Sequence, residues 1–324
     1  MKIAITGASG HIGVNLCKVL INNGHHVKAL LHKYTLGIDN KDLEPVKGEI
    51  GNISDLEKLF KGCEVVFHLA AHISLKKNDP LCVRINVENC KNIIQAARNS
   101  NIRRIIHFSS IHAFVQEPFE EILNESRSLS VNSKWAYDRS KAQGQQIMLE
   151  ASGNNLEILS LNPTAVIGPY DYRPSFLGNA IIRFYKGQNP GLIPGGYNWV
   201  DVRDVCSAAV SAIHSGKPGE CYLLGGSWHS IKKLASEIHI NGGHPPPKTE
   251  FPVWLAQATT PVLNLHAFLM GKTPLYTSAS LHTLKNNHQY ISSEKAAEAL
   301  NYQSRPFSNT IAETINWFRD NNYL

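Results

Sequence analysis

Apolar and polar positions change rhythm repeatedly along this chain. Short apolar runs at 2–6, 26–31, 64–70, 103–109 and 156–161, with a weaker one near 44–48, have the length of buried strands. Between them apolar residues recur at helical spacing, as in Ile12, Leu16, Val19 and Leu20, a pattern that Gly24 closes. Alternating strands and helices predict a doubly wound parallel sheet, covered on both faces, with ligands at the carboxyl ends of its strands. The ends of V-V-F-H-L-A-A (65–71) and R-I-I-H-F-S-S (104–110) turn small and polar at that edge. After residue 162 the texture shifts: Pro163, Gly168, Pro169, Pro174, Gly191, Pro194, Gly195 and Gly196 predict loops. The expected organisation is a sheet domain over 1–162, rejoined near 197–224 by W-V-D-V-R-D-V and the helix after it, and a smaller interleaved lobe over 163–324. N-G-G-H-P-P-P-K (241–248) is the predicted hinge. Residues 251–271 are apolar but interrupted by Gln257, Pro261, Asn264 and His266, which predicts a packed or lid helix, or one lying on a membrane surface, and no membrane span.

The first strand runs into T-G-A-S-G-H-I-G, and the physics of that segment is glycine's. Gly7 permits a tight turn, Gly10 removes a side chain where a phosphate must approach backbone, and Gly13 permits close packing of the helix. The amides at the helix start then meet an anion. A plain tight turn is the alternative; the strand before and the helix after favour a phosphate-binding loop of the Rossmann type.

Composition narrows the class. The chain has 324 residues, 43% hydrophobic and 18% charged, which fits a globular protein with a large core. A net charge of +6 with no Lys/Arg run longer than two argues against a nucleic-acid groove. Cys17, Cys63, Cys82, Cys90, Cys206 and Cys221 show no C-x-x-C spacing and predict reduced thiols in a cytoplasmic protein, with no metal site. No cleavable signal peptide is expected, because a strand begins at Lys2.

Chemistry enters at Y-D-R-S-K. Tyr137 and Lys141 stand four apart in a predicted helix and so share a face. A cation beside a phenol favours the phenolate and makes Tyr137 a usable acid or base. In an arbitrary helix such a pair is a surface contact, but Ser110 lies 27 residues upstream at a strand end, where its hydroxyl could hold a carbonyl or alcohol oxygen. Ser109 is its rival; capping of backbone is the alternative reading for Ser110 and the preferred one for Ser109.

On T-G-A-S-G-H-I-G, G-C-E-V-V-F-H-L-A-A, D-P-L-C-V-R-I-N-V-E-N-C, H-F-S-S, Y-D-R-S-K and N-P-T-A-V-I-G-P, nearly the whole chain resembles an extended short-chain dehydrogenase/reductase of the NAD-dependent epimerase/dehydratase family, and is most similar to its dihydroflavonol reductase-like branch. W-V-D-V-R-D-V, Y-L-L-G-G and Y-I-S-S-E-K-A-A-E-A-L-N-Y-Q-S-R-P resemble the second half of the same family. The resemblance implies that Tyr137 is the general acid/base, that Lys141 lowers its pKa and holds the nicotinamide ribose, and that Ser110 orients the reacting oxygen. It implies a cofactor along Gly7, Ser9, Gly10, His11, Ile12 and Gly13, with Glu49, Ile50, Leu69, Ala70 and Ala71 on its adenosine side and Pro163 and Val166 at the nicotinamide. Glu49, 14 residues before Cys63, stands where relatives often carry an Asp. Asn86 matches the asparagine of the family's N-V-x-G-T, although Asn89 and Cys90 replace its last two residues, glycine included.

NAD preference needs an acid closing the second strand, and this chain reads Leu31, His32, Lys33 there; His32 and Lys33 suit a 2′-phosphate, so NADP leads and NAD is the alternative. Three functions remain open: a reductase acting on a small carbonyl or alcohol, a nucleotide-sugar epimerase or dehydratase that recycles its cofactor, and a non-catalytic NAD(P) sensor. A nucleotide sugar would need cations such as Arg173, Arg183, Arg203 and Arg305; Tyr170, Tyr172, Phe176, Trp199 and Trp228 suit an apolar carbonyl compound. Retention of both Tyr137 and Lys141 argues against the sensor. The family's usual homodimer would use helices near 84–99 and 137–152, where Ile93, Ile94, Ile147 and Met148 either line the seam or face the sheet.

Overall fold

The computed structural model describes residues 1–255, 258, 284 and 287–324. Its centre is a seven-stranded, wholly parallel sheet of order β3-β2-β1-β4-β5-β6-β9. The strands are β1 (Lys2–Thr6), β2 (His26–Leu31), β3 (Leu43–Lys47), β4 (Val65–His68), β5 (Arg104–Phe108), β6 (Glu157–Pro163) and β9 (Cys221–Leu224). Their near-continuous apolar character follows from burial on both faces. Successive residues alternate between two cores: Ile3, Ile5, Phe67, Ile106 and Leu159 pack on one side, and Ala4, Val66, Ile105 and Ile158 on the other. The first core is covered by α1 (His11–Asn22), α7 (Val202–Ser211) and α9 (Glu294–Leu300). The second is covered by α2 (Ile53–Phe60), α4 (Asn89–Asn99) and α5 (Ala136–Glu150). The predicted Rossmann-type α/β fold forms, with its topological switch between β1 and β4.

Two boundaries move for physical reasons. The strand expected over 64–70 stops at His68, because the turn at Gly7 crosses the next residues: a Cβ on Gly7 would lie 2.6 Å from the Ala70 nitrogen. The helix expected from residue 84 begins earlier, at Pro80, where Asp79 caps α3 (Pro80–Val83); a wide π-type turn at Arg84–Glu88 then leads into α4. That turn presents the Asn86 carbonyl to α5, where a Cβ on Gly144 would sit 2.1 Å from it and 3.4 Å from Cys90 Sγ. With Asn89 in the place of the expected glycine and Cys90 after it, the close approach between this turn and α5 is made at Gly144. Gly144→Ala gains helix propensity but forces the helices apart; a net loss of about 3 kcal/mol is expected, read as a lower thermal midpoint, and an unchanged midpoint would refute the contact.

The smaller lobe holds a second sheet, β10-β8-β7, made of β7 (Ala165–Ile167), β8 (Gly196–Asp201) and β10 (Ser227–Ser230). W-V-D-V-R-D-V therefore does not return to the large sheet. Its strand, β8, pairs with β7 and β10; the helix after it, α7, covers the large sheet, and β9 takes the edge beside β6. Helices α6 (Phe176–Tyr185), α8 (Ile231–Ile240) and α10 (Phe307–Asp320) enclose this lobe's core around Ile181, Leu234, Ile311 and Phe318. The expected hinge is docked rather than free: His244 N donates to the Tyr185 carbonyl at 3.0 Å, and Arg319 to the Asn241 carbonyl at 3.0 Å. Phe251 N donates to the Leu192 carbonyl, while most of the helix expected over 251–271 lies outside the described residues. Among the described residues, no helix is long and apolar enough to cross a membrane. Ile93, Ile94 and Met148 are buried against the sheet within the chain, with Ile147 packed beside them, so they line its own core; Lys91, Gln95, Arg98, Gln146 and Glu150 face outward.

Candidate active site

The loop after β1 is built to leave amides free. Gly7 has φ +73, a region that L side chains rarely adopt, and a Cβ on Gly13 would meet the Gly7 carbonyl at 2.2 Å. A Cβ on Gly10 would touch only its own loop, at 3.4 Å, so that face is open to a ligand. Helices α2, α3, α6, α7 and α8 begin with Asn52, Asp79, Ser175, Asp201 and Ser230 as side-chain caps. Helix α1 begins with Gly10, has no side-chain cap and carries no acid in its first turn. The amides of His11, Ile12 and Gly13, ahead of the first intrahelical bond from Val14 N to the Gly10 carbonyl, suit a pyrophosphate. The His11 ring turns away from this cradle: its Nε2 lies 3.1 Å from the Pro169 carbonyl, which also accepts from Asn15 at 3.0 Å.

Ser110, Tyr137 and Lys141 meet at the carboxyl edge of β5. Ser110 Oγ accepts from His112 N at 3.2 Å, so the hydroxyl does cap backbone, and it also hydrogen-bonds the Tyr137 phenol. The carbonyl of Ser110 is fixed by Asn162 Nδ2 at 2.9 Å. Ser109 does not cap backbone as expected: its hydroxyl is turned inward, with Oγ buried without a partner. Lys141 is buried and donates from Nζ to the Phe108 carbonyl at 2.7 Å. Burial pushes the Tyr137 phenol up to about 12, with the Ser110 bond opposing, and pushes the Lys141 ammonium down to about 8. The expected lowering of Tyr137 by Lys141 is therefore not seen: burial raises the phenol, the Ser110 bond alone opposes it, and Lys141 directs its ammonium to the Phe108 carbonyl. Beside the phenol stands His112, whose ring is edge-on at 5.8 Å and whose Nδ1 lies 3.2 Å from Asp138.

The remaining predicted residues divide by position. His32, Lys33 and Glu49 are exposed beyond β2 and β3, with His32 Nε2 3.5 Å from Glu49, and Ile50 is partly buried nearby. Leu69, Ala70 and Ala71 leave β4 under the turn at Gly7, and Pro163 and Val166 follow one another around the end of β6. Asn86 is buried and fully engaged: its Oδ1 accepts from His72 N at 2.8 Å, and its Nδ2 donates to the His72 carbonyl and to Ser140 Oγ, both at 2.9 Å. It binds the loop after β4 to α5. Of the four arginines, Arg203 and Arg305 are neutralised by Asp201, Asp204 and Glu313, Arg183 buries its Nε without a partner, and Arg173 reaches the phosphate loop. Trp199 lies in the smaller lobe's core, Tyr170 and Tyr172 pack tilted and edge-on around Trp317, Phe176 is exposed, and Trp228 buries its indole Nε1 without a partner.

Sequence reading missed a polar row across the sheet. Register places Thr6 beside His68, His68 beside His107, and His107 beside Ser160, all on the face of α4 and α5. Thr6 Oγ1 and His68 Nδ1 are 2.8 Å apart, whereas both His107 nitrogens and Ser160 Oγ are buried without partners. Burial and the Lys141 charge hold both imidazoles neutral, His68 near 3. His72, Asp79 and Cys82 also converge, their ligand atoms within 4.8 Å of one another, but His72 already contacts Asp79 at 3.2 Å and the Cys82 thiol donates to the His72 carbonyl. All six cysteines are free thiols.

The family model for the NAD dependent epimerase/dehydratase family matches residues 3–225. A Synechocystis protein named as a dihydroflavonol 4-reductase is 30% identical, covering 99% of this chain and 95% of its own. Sterol demethylase protein B of Methylococcus capsulatus is 28% identical, covering 99% of each chain. Among solved structures, gox2253 matches with TM-score 0.82 at 28% identity over 99% of both chains. MoeE5, solved with UDP-glucuronic acid and NAD, has TM-score 0.76 at 20% identity over 99% of this chain and 100% of its own, a likeness of fold alone. A dinucleotide cradle, a Ser-Tyr-Lys cluster on the same sheet edge and these matches together place the chain in the NAD-dependent epimerase/dehydratase family, as an enzyme of the extended short-chain dehydrogenase/reductase type.

Proposed function

We propose that this enzyme is a cytoplasmic, homodimeric NADP-dependent reductase of an apolar carbonyl compound. The observation that carries the reading is that Ser110, Tyr137 and Lys141 gather at the same carboxyl edge of the parallel sheet from which β1 enters the uncapped start of α1. The cofactor, when bound, supplies the hydride. Ser110 holds the carbonyl oxygen, Tyr137 gives its phenolic proton to the oxygen as it gains negative charge, and Lys141 holds the ribose while its ammonium steadies the resulting phenolate. A phenol held near 12 is protonated at neutral pH, which is the form that reduction needs.

An apolar substrate is supported by the chain segments that follow β4 and β5, which expose Ile73, Leu75, Val115 and Ile122. Relatives named sterol demethylase protein B, 3beta-hydroxysteroid-dehydrogenase/decarboxylase and cinnamoyl-CoA reductase point the same way. The ion pairs of Arg203 and Arg305 leave fewer cations for a nucleotide sugar. NADP is supported by His32 and Lys33 at the end of β2, with no carboxylate there. The cytoplasmic assignment rests on the free thiols, and the homodimer on the family's usual assembly.

A screen of ketones and aldehydes, read as NADPH oxidation at ~340 nm, is expected to find turnover with NADPH favoured over NADH, by a protein sedimenting at twice the chain mass. Clear preference for NADH would overturn the cofactor assignment. Tightly held NAD with no net carbonyl reduction would replace the reductase by the recycling epimerase chemistry.

A further inference from the structure

We propose that Arg173, a residue of the smaller lobe, is a ligand of the cofactor's 2′-phosphate, so that the substrate lobe itself reads NADP against NAD. The proposal rests on the NADP reading above and deepens it. Arg173 leaves the loop between β7 and α6 and crosses to the sheet domain. There its guanidinium donates to the Ser9 carbonyl in the phosphate loop and stacks over the Tyr34 ring, with Cζ 3.8 Å from the ring centroid. Tyr34 directly follows His32 and Lys33, so one cation bridges the two segments between which an adenosine ribose must sit in this fold.

Three features suit this site to a phosphate. First, stacking occupies the face of the guanidinium and leaves in-plane N–H donors at its edge, the geometry that matches a phosphate. Second, its charge is not neutralised: among the described residues its partners are a carbonyl and a ring, whereas Arg203 and Arg305 are each paired with a carboxylate. Glu49, the nearby acid beyond β3, is taken up by His32, and buried Asp171 accepts from Ser175 N at 2.7 Å. Third, a cavity of about 330 Å³ lies between Ser9–His11 and Tyr170–Arg173.

The loop is anchored before any ligand arrives. The Pro169 carbonyl contacts His11 and Asn15, Lys18 Nζ lies 4.4 Å over the Tyr170 ring, and Tyr170 holds φ +62, a conformation that costs a bulky residue energy and persists only where the surroundings impose it. A pre-placed cation loses little entropy on binding.

Binding of NADPH, NADH and 2′,5′-ADP to the full chain tests this, using wild type, Arg173→Gln and Arg173→Lys, each checked for an unchanged thermal midpoint. Arg173→Gln is expected to weaken NADPH and 2′,5′-ADP about 30-fold while NADH changes less than about 2-fold, with Arg173→Lys recovering part of the loss. Equal losses for NADPH and NADH, or no loss of 2′,5′-ADP binding, would overturn the assignment. A wild type that holds NADH more tightly than NADPH would overturn the NADP reading separately, because 2′,5′-ADP still reports on Arg173.

Discussion

Replacing Tyr137 with phenylalanine is expected to lower turnover about 10³-fold at pH 7 while NADPH affinity changes less than about 2-fold. The substitution removes one hydroxyl and little else. The phenyl ring keeps its place in α5 and its edge contact with His112, and Ser110 Oγ keeps the His112 amide. What disappears is the proton that must reach the substrate oxygen as hydride arrives. Burial holds that phenol near 12, well above neutral pH, so proton donation is available throughout pH 6–8 and reduction should not fall across that range on this residue's account. Turnover by Tyr137→Phe within about 3-fold of wild type would remove Tyr137 from the chemistry and leave water or His112 as the donor. Loss of NADPH binding would mean instead that the hydroxyl holds the cofactor.

The fold was legible because a parallel sheet buried on both faces must read as apolar runs, and here Ile3, Ala4 and Ile5 each have a core to enter. The phosphate loop was legible for a different reason: Gly7, Gly10 and Gly13 are close in sequence, Gly7 and Gly13 are required by the backbone geometry of the turn, and Gly10 leaves its face open to a ligand. Features that depend on register between distant segments were hidden. Nothing in the spacing of Thr6, His68, His107 and Ser160 says that they form one row, since that depends on how four strands slide against one another. The same limit explains β8, whose apolar residues serve a small sheet as readily as a large one. Arg173 stood in the sequence among arginines suited to a substrate diphosphate; only the fold of the loop after β7 carries it to Ser9 and Tyr34. Gly144 could have been found: a glycine inside an otherwise regular helix marks a place where another backbone comes close, here the Asn86 carbonyl.

Lys141→Met is expected to abolish most turnover and, at the same time, to make the protein more stable at neutral pH. Lys141 is nine-tenths or more buried, its ammonium sits beside the neutral imidazoles of His68 and His107, and its hydrogen bond from Nζ goes to the Phe108 carbonyl rather than to a carboxylate. Burial lowers its folded pKa from 10.5 to about 8. At pH 7 the lysine is charged in both the folded and the unfolded chain, so the whole cost of burying that charge weighs on the folded state, roughly 3 kcal/mol. As pH rises from about 8 towards 10.5 the folded lysine sheds its proton while the unfolded one keeps it, and this cost fades. Methionine has a similar length and no charge, so it removes the cost at every pH but leaves the Phe108 carbonyl without its donor, a penalty of about 1–2 kcal/mol. The variant should therefore melt above wild type at pH 7, and that advantage should shrink or reverse by pH 9.5. A gap between the two melting temperatures that stays constant over that range would show that Lys141 is not held at a lowered pKa. The charge that destabilises the fold is the one the proposed chemistry needs, because the phenolate left when Tyr137 gives up its proton is stabilised by a cation on the same helix face.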